Sequence, residues 1–146
     1  MKRTITICAS VSHYKQVIPI EQELKKLGFK VLVPDILRTM QKNNNFDVNF
    51  YKTWYENKND YSKKTKLMKA HFKKVLKGDA ILIVNFEKRG MEGYIGGNVL
   101  MEITLAFHYK KPIYIYNLVS DKLPILEEIY AVQPTFLDGD LTKINL

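Results

Sequence analysis

The sequence predicts an α/β protein that folds as a single domain around a five-stranded parallel sheet. Two observations predict this class. Short apolar runs recur along the 146 residues, and segments with their apolar residues on one helix face separate these runs. Because crossovers between parallel strands are right-handed, the expected strand order is 2-1-3-4-5, with helices on both faces of the sheet.

The first half of the chain contains two of these strands and the helix between them. Residues 4–8 are an apolar run that we predict as strand one. Residues 16–27 follow as a helix, because their apolar positions share one face. Gly28 ends this helix as a C-terminal glycine. Residues 29–33 then form strand two.

The second half of the chain continues the alternation. In order, we predict a helix at 61–77, strand three at 80–85, a helix at 97–109, strand four at 112–116, a short helix at 123–130 and a short last strand at 135–137. This architecture is a Rossmann-like (flavodoxin-like) three-layer sandwich, and we expect residues 1–146 to form one domain.

Residues 36–60 do not fit this rhythm and are interpreted as an insertion. The sequence QKNNN at 41–45 predicts a turn or disorder. Four aromatic residues follow, which we expect to be exposed: Phe46, Phe50, Trp54 and Tyr55. An insertion after a strand end is often a lid or a specificity element. Packing against the neighbouring helix or a dimer partner is the alternative.

The composition is that of an ordinary globular domain, with 46% hydrophobic and 26% charged residues. No apolar stretch has the length of a transmembrane helix, so we expect no membrane partner. The apolar run at the N-terminus is too short for a signal-peptide core, which predicts a cytoplasmic protein. The single cysteine, Cys8, excludes an internal disulfide and is expected to be a small buried residue of strand one.

The formal net charge of +8 comes largely from the lysines of residues 58–77. Such a basic face can attract phosphates or nucleic acid, but a solvated helix face is the simpler interpretation. Arginine is scarce, and no basic–aromatic RNA-binding motif is present. We therefore do not expect nucleic acid as a partner.

The most informative segment is residues 93–102, GYIGGNVLME, between strands three and four. It begins as a glycine-rich loop, whose backbone can approach a ligand closely and direct N–H groups at an anion. It continues as a helix that carries Glu102 on an otherwise apolar face. A carboxylate is rarely found at such a position unless it has a partner or a function. This position is also the carboxyl edge of a parallel sheet, where small polar ligands bind.

The loops after strands one, three and four should meet at this edge, and their polar residues are the candidate ligand contacts. The candidates are Ser10, Ser12, Tyr14, Asn85, Tyr94, Gly96, Gly97, Asn98 and Asn117. Structural roles are open alternatives: the serines can make turn hydrogen bonds, Asn98 can cap the helix, and Tyr94 can pack into its loop. Asn85 can orient the loop that follows it.

Several familiar catalytic motifs are absent from the sequence. It contains no Walker lysine loop, no GxGxxG after strand one, no HExxH and no CxxC. Kinase, dehydrogenase and zinc-hydrolase activities therefore have no support from motifs.

Three places in the chain resemble a known family. They are residues 7–10 (ICAS), residues 78–85 (GDAILIVN), and residues 97–102 (GNVLME) together with Ala106 and residues 111–114 (KPIY). On these residues the chain resembles the nucleoside 2-deoxyribosyltransferase-like family, which includes deoxynucleoside 5′-monophosphate N-glycosidases. The resemblance covers most of the chain except residues 36–60.

The resemblance implies a reaction and roles for two residues. Glu102 would be the nucleophile that attacks the anomeric carbon of a 2′-deoxyribosyl group and expels the base, after which water or a second base resolves the glycosyl-enzyme. Hydrogen bonds from Tyr14 or Ser10 would keep Glu102 ionised. Where the family commonly has an aspartate, this chain has His71, which could protonate the leaving base.

The substrate implied by the resemblance is a small molecule, a 2′-deoxynucleoside or its 5′-monophosphate. No cofactor and no metal are implied, because the nucleophile and the acid are both protein groups. The resemblance also implies a homodimer or a higher homo-oligomer, and the aromatic residues of the insertion would suit its interface. A non-catalytic nucleotide-binding or nucleotide-sensing module is the alternative, because the fold alone does not determine function.

Overall fold

The computed structural model describes residues 1–146 and has the predicted sheet. Five strands, all parallel, lie in the order β2-β1-β3-β4-β5. The strands are β1 (Thr4–Ala9), β2 (Lys30–Leu32), β3 (Ala80–Val84), β4 (Ile113–Ile115) and β5 (Thr135–Phe136). The predicted fold class and strand order are confirmed, with strand ends that differ from the prediction by a residue or two.

Six α-helices connect the strands, and four short 3₁₀ turns accompany them. The helices are α1 (Tyr14–Lys26), α2 (Asp35–Asn43), α3 (Val48–Tyr51), α4 (Tyr61–Lys77), α5 (Gly97–His108) and α6 (Leu126–Ala131). Gly28 follows α1 with a φ of +96°, in the left-handed conformation predicted for a helix C-terminus. None of the six helices combines the length with the apolar character that a membrane-spanning segment requires.

Two apolar cores, one on each face of the sheet, make the three layers. Alternate residues of β1 point to opposite faces, so Ile5 and Ile7 join one core and Cys8 joins the other. The first core packs the sheet against α1, α2 and the C-terminal segment. The second core packs it against α4, α5 and α6. Every residue of the central strand β3 is buried, as expected of a parallel strand covered on both faces.

The insertion at 36–60 is more helical than its sequence predicts. Helix α2 continues through residues 41–43, so the prediction of a turn or disorder there is wrong. The turn comes at Asn44, which adopts the left-handed conformation with φ of 49° and ends α2. Leu37 and Met40 are fully buried, and this tertiary packing accounts for the helix in a polar sequence.

The aromatic residues of the insertion are not all exposed. Phe50 and Tyr55 are exposed as predicted. Trp54 is only 3% exposed and Phe46 packs partly against the first core, so the prediction of exposure is wrong for these two residues. The insertion therefore packs against the rest of its own chain. Packing of this kind is one of the alternatives that the sequence leaves open.

Candidate functional site

Two asparagines join the loops at the carboxyl edge of the sheet. Asn85, which follows β3 and is fully buried, donates its side-chain amide to the carbonyl oxygens of Gly93 and Asn117 at 3.0 and 2.9 Å. It accepts from the backbone N–H of Asn117 at 2.9 Å, and the Asn117 side chain donates to the Asn85 carbonyl at 2.8 Å. Both residues therefore hold the loops and do not line either cavity described below.

Gly93 shows why this loop needs a glycine. Its φ is +62°, and a Cβ placed on it would lie 2.0 Å from the carbonyl oxygen of Leu118. Only a residue without a side chain allows the loop after β3 to pass this close to the loop after β4. Tyr94 and Gly96 follow in the same loop, directly before the start of α5.

An inner pocket of about 40 Å³ lies beside α5. Glu102, in the second turn of α5, and His71, on α4, meet there with Glu102 Oε1 3.8 Å from His71 Nε2. Tyr14 and the insertion residue Trp54 also line the pocket. A pocket of this size holds only a few water molecules.

Glu102 and His71 are buried without hydrogen bonds. Glu102 is 2% exposed and His71 is 8% exposed, and Glu102 Oε2 and both ring nitrogens of His71 have no partner in hydrogen-bond geometry, although the Ile7 backbone lies close enough to His71 to act on its pKa. Neither Tyr14 nor Ser10 donates to Glu102, so the predicted hydrogen bonds are absent from this structure. Unpartnered buried polar groups cost stability and point to a functional site.

The electrostatics of this pair favour its uncharged form. Burial raises the pKa of Glu102 to about 8, although the nearby Lys64 charge acts in the opposite direction. Burial, assisted by the Lys74 charge, lowers the pKa of His71 to about 4. Without ligand, the proton of the pair therefore resides on Glu102. The sequence-based expectations of an ionised Glu102 and a histidine of ordinary pKa do not describe this state.

Cys8 completes a cluster with these two residues. The sulfur of Cys8 and ligand-type atoms of His71 and Glu102 all lie within 4.8 Å of one another, and all three residues are buried. Thiolate, imidazole and carboxylate are the groups that bind Zn²⁺. The resemblance implied no metal, but these three residues are the ones that could hold a divalent ion.

An outer cleft of about 360 Å³ opens beside the inner pocket. Five of the sequence-predicted residues line it: Ser10, Tyr94, Gly96, Gly97 and Asn98. Gly96 is the N-cap of α5, so the first N–H groups of that helix lie at this cleft. Asn98 is not the N-cap, which excludes the capping role considered for it.

Four cations line the outer cleft: Lys52, Lys64, Lys88 and Arg89. No carboxylate lines the cleft, and none of the four cations takes part in an ion pair. Burial lowers the pKa of all three lysines, and neighbouring cations of the same cluster lower it further. The cleft is thus a half-buried region of uncompensated positive charge.

Lys64 and Asn98 separate the inner pocket from the outer cleft. Both residues line both cavities, and Lys64 Nζ donates to Asn98 Oδ1 at 2.9 Å. The Lys64 ammonium also lies over the Trp54 ring, 5.5 Å from its centroid. A ligand that reached Glu102 from the cleft would have to displace this contact.

Most of the predicted site residues therefore come together, in two cavities. Tyr14, His71 and Glu102 line the inner pocket, and Asn98 lines both cavities. Ser12 is exposed in a 3₁₀ turn and lines neither. Sequence reasoning missed the four cations, Trp54 and the placement of Cys8 beside Glu102. Lys64 belongs to the basic segment 58–77, which its sequence favours as a solvated helix face, whereas Lys52, Lys88 and Arg89 lie outside that segment and no sequence pattern points to them.

Comparison with models of known protein families gives no match for this chain, and no curated protein sequence matches it. The family resemblance described from the sequence therefore stays a prediction.

Proposed function

We propose that this protein cleaves or transfers the N-glycosidic bond of a 2′-deoxynucleoside 5′-phosphate, with Glu102 as the nucleophile. One observation carries the proposal: a buried carboxyl without hydrogen-bond partners ends in a pocket that adjoins a basic cleft through Lys64 and Asn98. This arrangement supports a ligand with its sugar near Glu102 and its phosphate in the cleft. The sequence resemblance supports the same reaction.

The protonation of the pair suggests how the reaction would start. Glu102 Oε1 and His71 Nε2, now 3.8 Å apart, would first have to approach to hydrogen-bond distance. Transfer of the Glu102 proton to His71 would then give a carboxylate and an imidazolium without changing the net charge of the pocket. The carboxylate oxygen would attack the anomeric carbon as the C–N bond breaks, and the bonding electrons would leave with the base. His71 would supply the proton that the departing base needs.

The second half of the reaction would restore the site. Water, or the nitrogen of a second base, attacks the anomeric carbon of the glycosyl ester, and Glu102 leaves as a carboxylate. The proton released by the attacking group returns to the pair. With water the outcome is hydrolysis, and with a second base it is transfer.

The closed inner pocket requires a conformational step before chemistry. Its volume of about 40 Å³ is far below that of the pockets that bind small molecules, about 300 Å³ or more. Trp54 and Lys64 are the residues that would have to move for a sugar to reach Glu102. We therefore propose that the insertion acts as a lid.

Chromatographic detection of free base tests this function. The purified protein is incubated with each common deoxynucleoside and with its 5′-monophosphate, in parallel with the Glu102→Ala variant. Glu23→Ala, at an exposed position of α1, is the matched control because it removes a carboxyl that does not line the pocket. We expect base release from the 5′-monophosphates by the wild type and Glu23→Ala, and none by Glu102→Ala. Equal release by Glu102→Ala contradicts the role of Glu102.

A nucleotide sensor is the second candidate, and the closed pocket is the observation that favours it. A sensor needs only the basic cleft and leaves Glu102 uncharged and covered. Its signature is a rise in Tm on addition of a nucleotide, without release of base at any protein concentration tested.

A further inference from the structure

We propose that the outer cleft binds two adjacent phosphate groups, so that its ligand belongs to the class of nucleoside 5′-diphosphates or other pyrophosphate compounds. The nucleoside part of this statement rests on the proposed function. The pyrophosphate part rests on the cleft alone.

The cleft carries a large uncompensated positive charge. Lys52, Lys64, Lys88 and Arg89 carry a formal charge of +4, and no carboxylate lines the cleft with them. A single phosphate monoester carries a charge of about −1.5 to −2 near neutral pH. One such group would leave about half of the positive charge uncompensated in a partly buried region, where unpaired charge is costly.

The four cations form one continuous cluster. Lys52 lowers the pKa of both Lys64 and Lys88, and Arg89 lowers the pKa of Lys52 and Lys88. Each of these three lysines also lies over an aromatic ring: Lys52 over Tyr55, Lys64 over Trp54 and Lys88 over Tyr94, at 5.7, 5.5 and 5.3 Å from the centroids. The aromatic faces hold the ammonium groups in place but leave their positive charge uncompensated.

The groups that line the cleft are more than one phosphate needs, and we divide them into two parts. The first part combines the N-terminus of α5 at Gly96 with Ser10, whose hydroxyl is 3.4 Å from Lys88 Nζ. Helix N-termini and a lysine are a common arrangement for one phosphate. The second part contains Lys52, from the insertion, and Arg89, whose fork-shaped guanidinium suits a phosphate. We assign one phosphate to each part.

Calorimetric titration of the full chain with inorganic phosphate and with pyrophosphate, at fixed pH and ionic strength, tests the assignment. We expect pyrophosphate to bind at least about tenfold more tightly, because it makes charge-assisted contacts in both parts. Lys52→Gln and Arg89→Gln should each remove most of this preference and leave phosphate binding within about twofold of the wild type. Lys88→Gln should weaken the binding of both anions.

Lys69→Gln is the matched control, because Lys69 is an exposed lysine of α4 outside the cleft. If it weakens pyrophosphate as much as Lys52→Gln does, binding follows net charge alone and the assignment is wrong. Equal affinity for phosphate and pyrophosphate also overturns it.

The titrations separate this inference from the proposed function. A pyrophosphate preference that depends on Lys52 and Arg89, in a protein that releases no base, would support the inference while the proposed function fails. Base release from 5′-monophosphates, without any preference for pyrophosphate and without faster turnover of 5′-diphosphates, would support the proposed function and contradict the pyrophosphate assignment. Deoxynucleoside 5′-mono- and diphosphates, compared in the same base-release assay, complete the test.

Discussion

The Glu102→Gln variant should be more stable than the wild type, by an amount that grows with pH. Glutamine has the shape of the protonated carboxyl and carries no charge at any pH. The wild-type carboxyl, in contrast, must hold a proton to stay buried, because burial raises its pKa to about 8. Functional residues often lower the stability of the folded protein, so replacing one with a neutral residue of the same shape raises the free energy of unfolding.

The sign and size of the effect follow from proton linkage. The unfolded carboxyl has a pKa of about 4.3, so between about pH 4.3 and pH 8 the folded protein binds a proton that the unfolded chain has lost. In this window, each unit of pH lowers the wild-type free energy of unfolding by about 1.36 kcal/mol. From pH 5 to pH 7 the advantage of Glu102→Gln should therefore increase by about 2.5 kcal/mol, or roughly 5–10 °C in Tm. His71 titrates in both proteins, and its contribution cancels to first order.

Urea denaturation of both proteins at about pH 5, 6 and 7 measures this difference. Glu23→Gln is the control, because it makes the same chemical change at an exposed position. A difference between Glu102→Gln and the wild type that stays constant with pH, or that shrinks as the pH rises, would contradict a protonated Glu102. It would show that Glu102 is already ionised in the folded protein.

Three further predictions concern the loops and the cluster around Glu102. Asn85→Ala leaves buried backbone groups of Gly93 and Asn117 without partners and should lower the free energy of unfolding by about 3 kcal/mol in urea denaturation. Gly93→Ala should cost at least about 2 kcal/mol more than Gly90→Ala, since both have positive φ but only Gly93 would clash. Base release should survive dialysis against a chelator but fall with excess Zn²⁺, and Cys8→Ser should weaken this inhibition.

The sheet could be predicted because its signals are local. Each strand is an apolar run bounded by turn residues, and the right-handed crossover rule leaves few orders for five such strands. Helix α2 could not be predicted in the same way. Its last turn lies in the polar sequence QKNNN, and it forms because Leu37 and Met40 are buried beneath it, which is a tertiary effect.

The part of the site whose residues lie on one segment could be predicted from the sequence. The part that forms where distant segments meet could not. Glu102, Gly96 and Asn98 share a glycine-rich loop and the helix that follows it, so their common location could be read directly. The basic cluster could not, because Lys52, Lys64 and Lys88 come from the insertion, from α4 and from the loop after β3. The protonation of Glu102 likewise depends on burial, which only the folded structure defines.

Intact-mass analysis tests most directly whether Glu102 is the nucleophile. The protein is incubated with a 2-fluoro-arabinosyl nucleotide, whose fluorine slows release of the sugar by destabilising the oxocarbenium-like transition state. We expect a mass increase equal to one fluorinated sugar phosphate, located by peptide mapping on Glu102 and absent from Glu102→Gln. A label on another residue, or continued release of base with no label at all, would contradict the role of Glu102 as a covalent nucleophile.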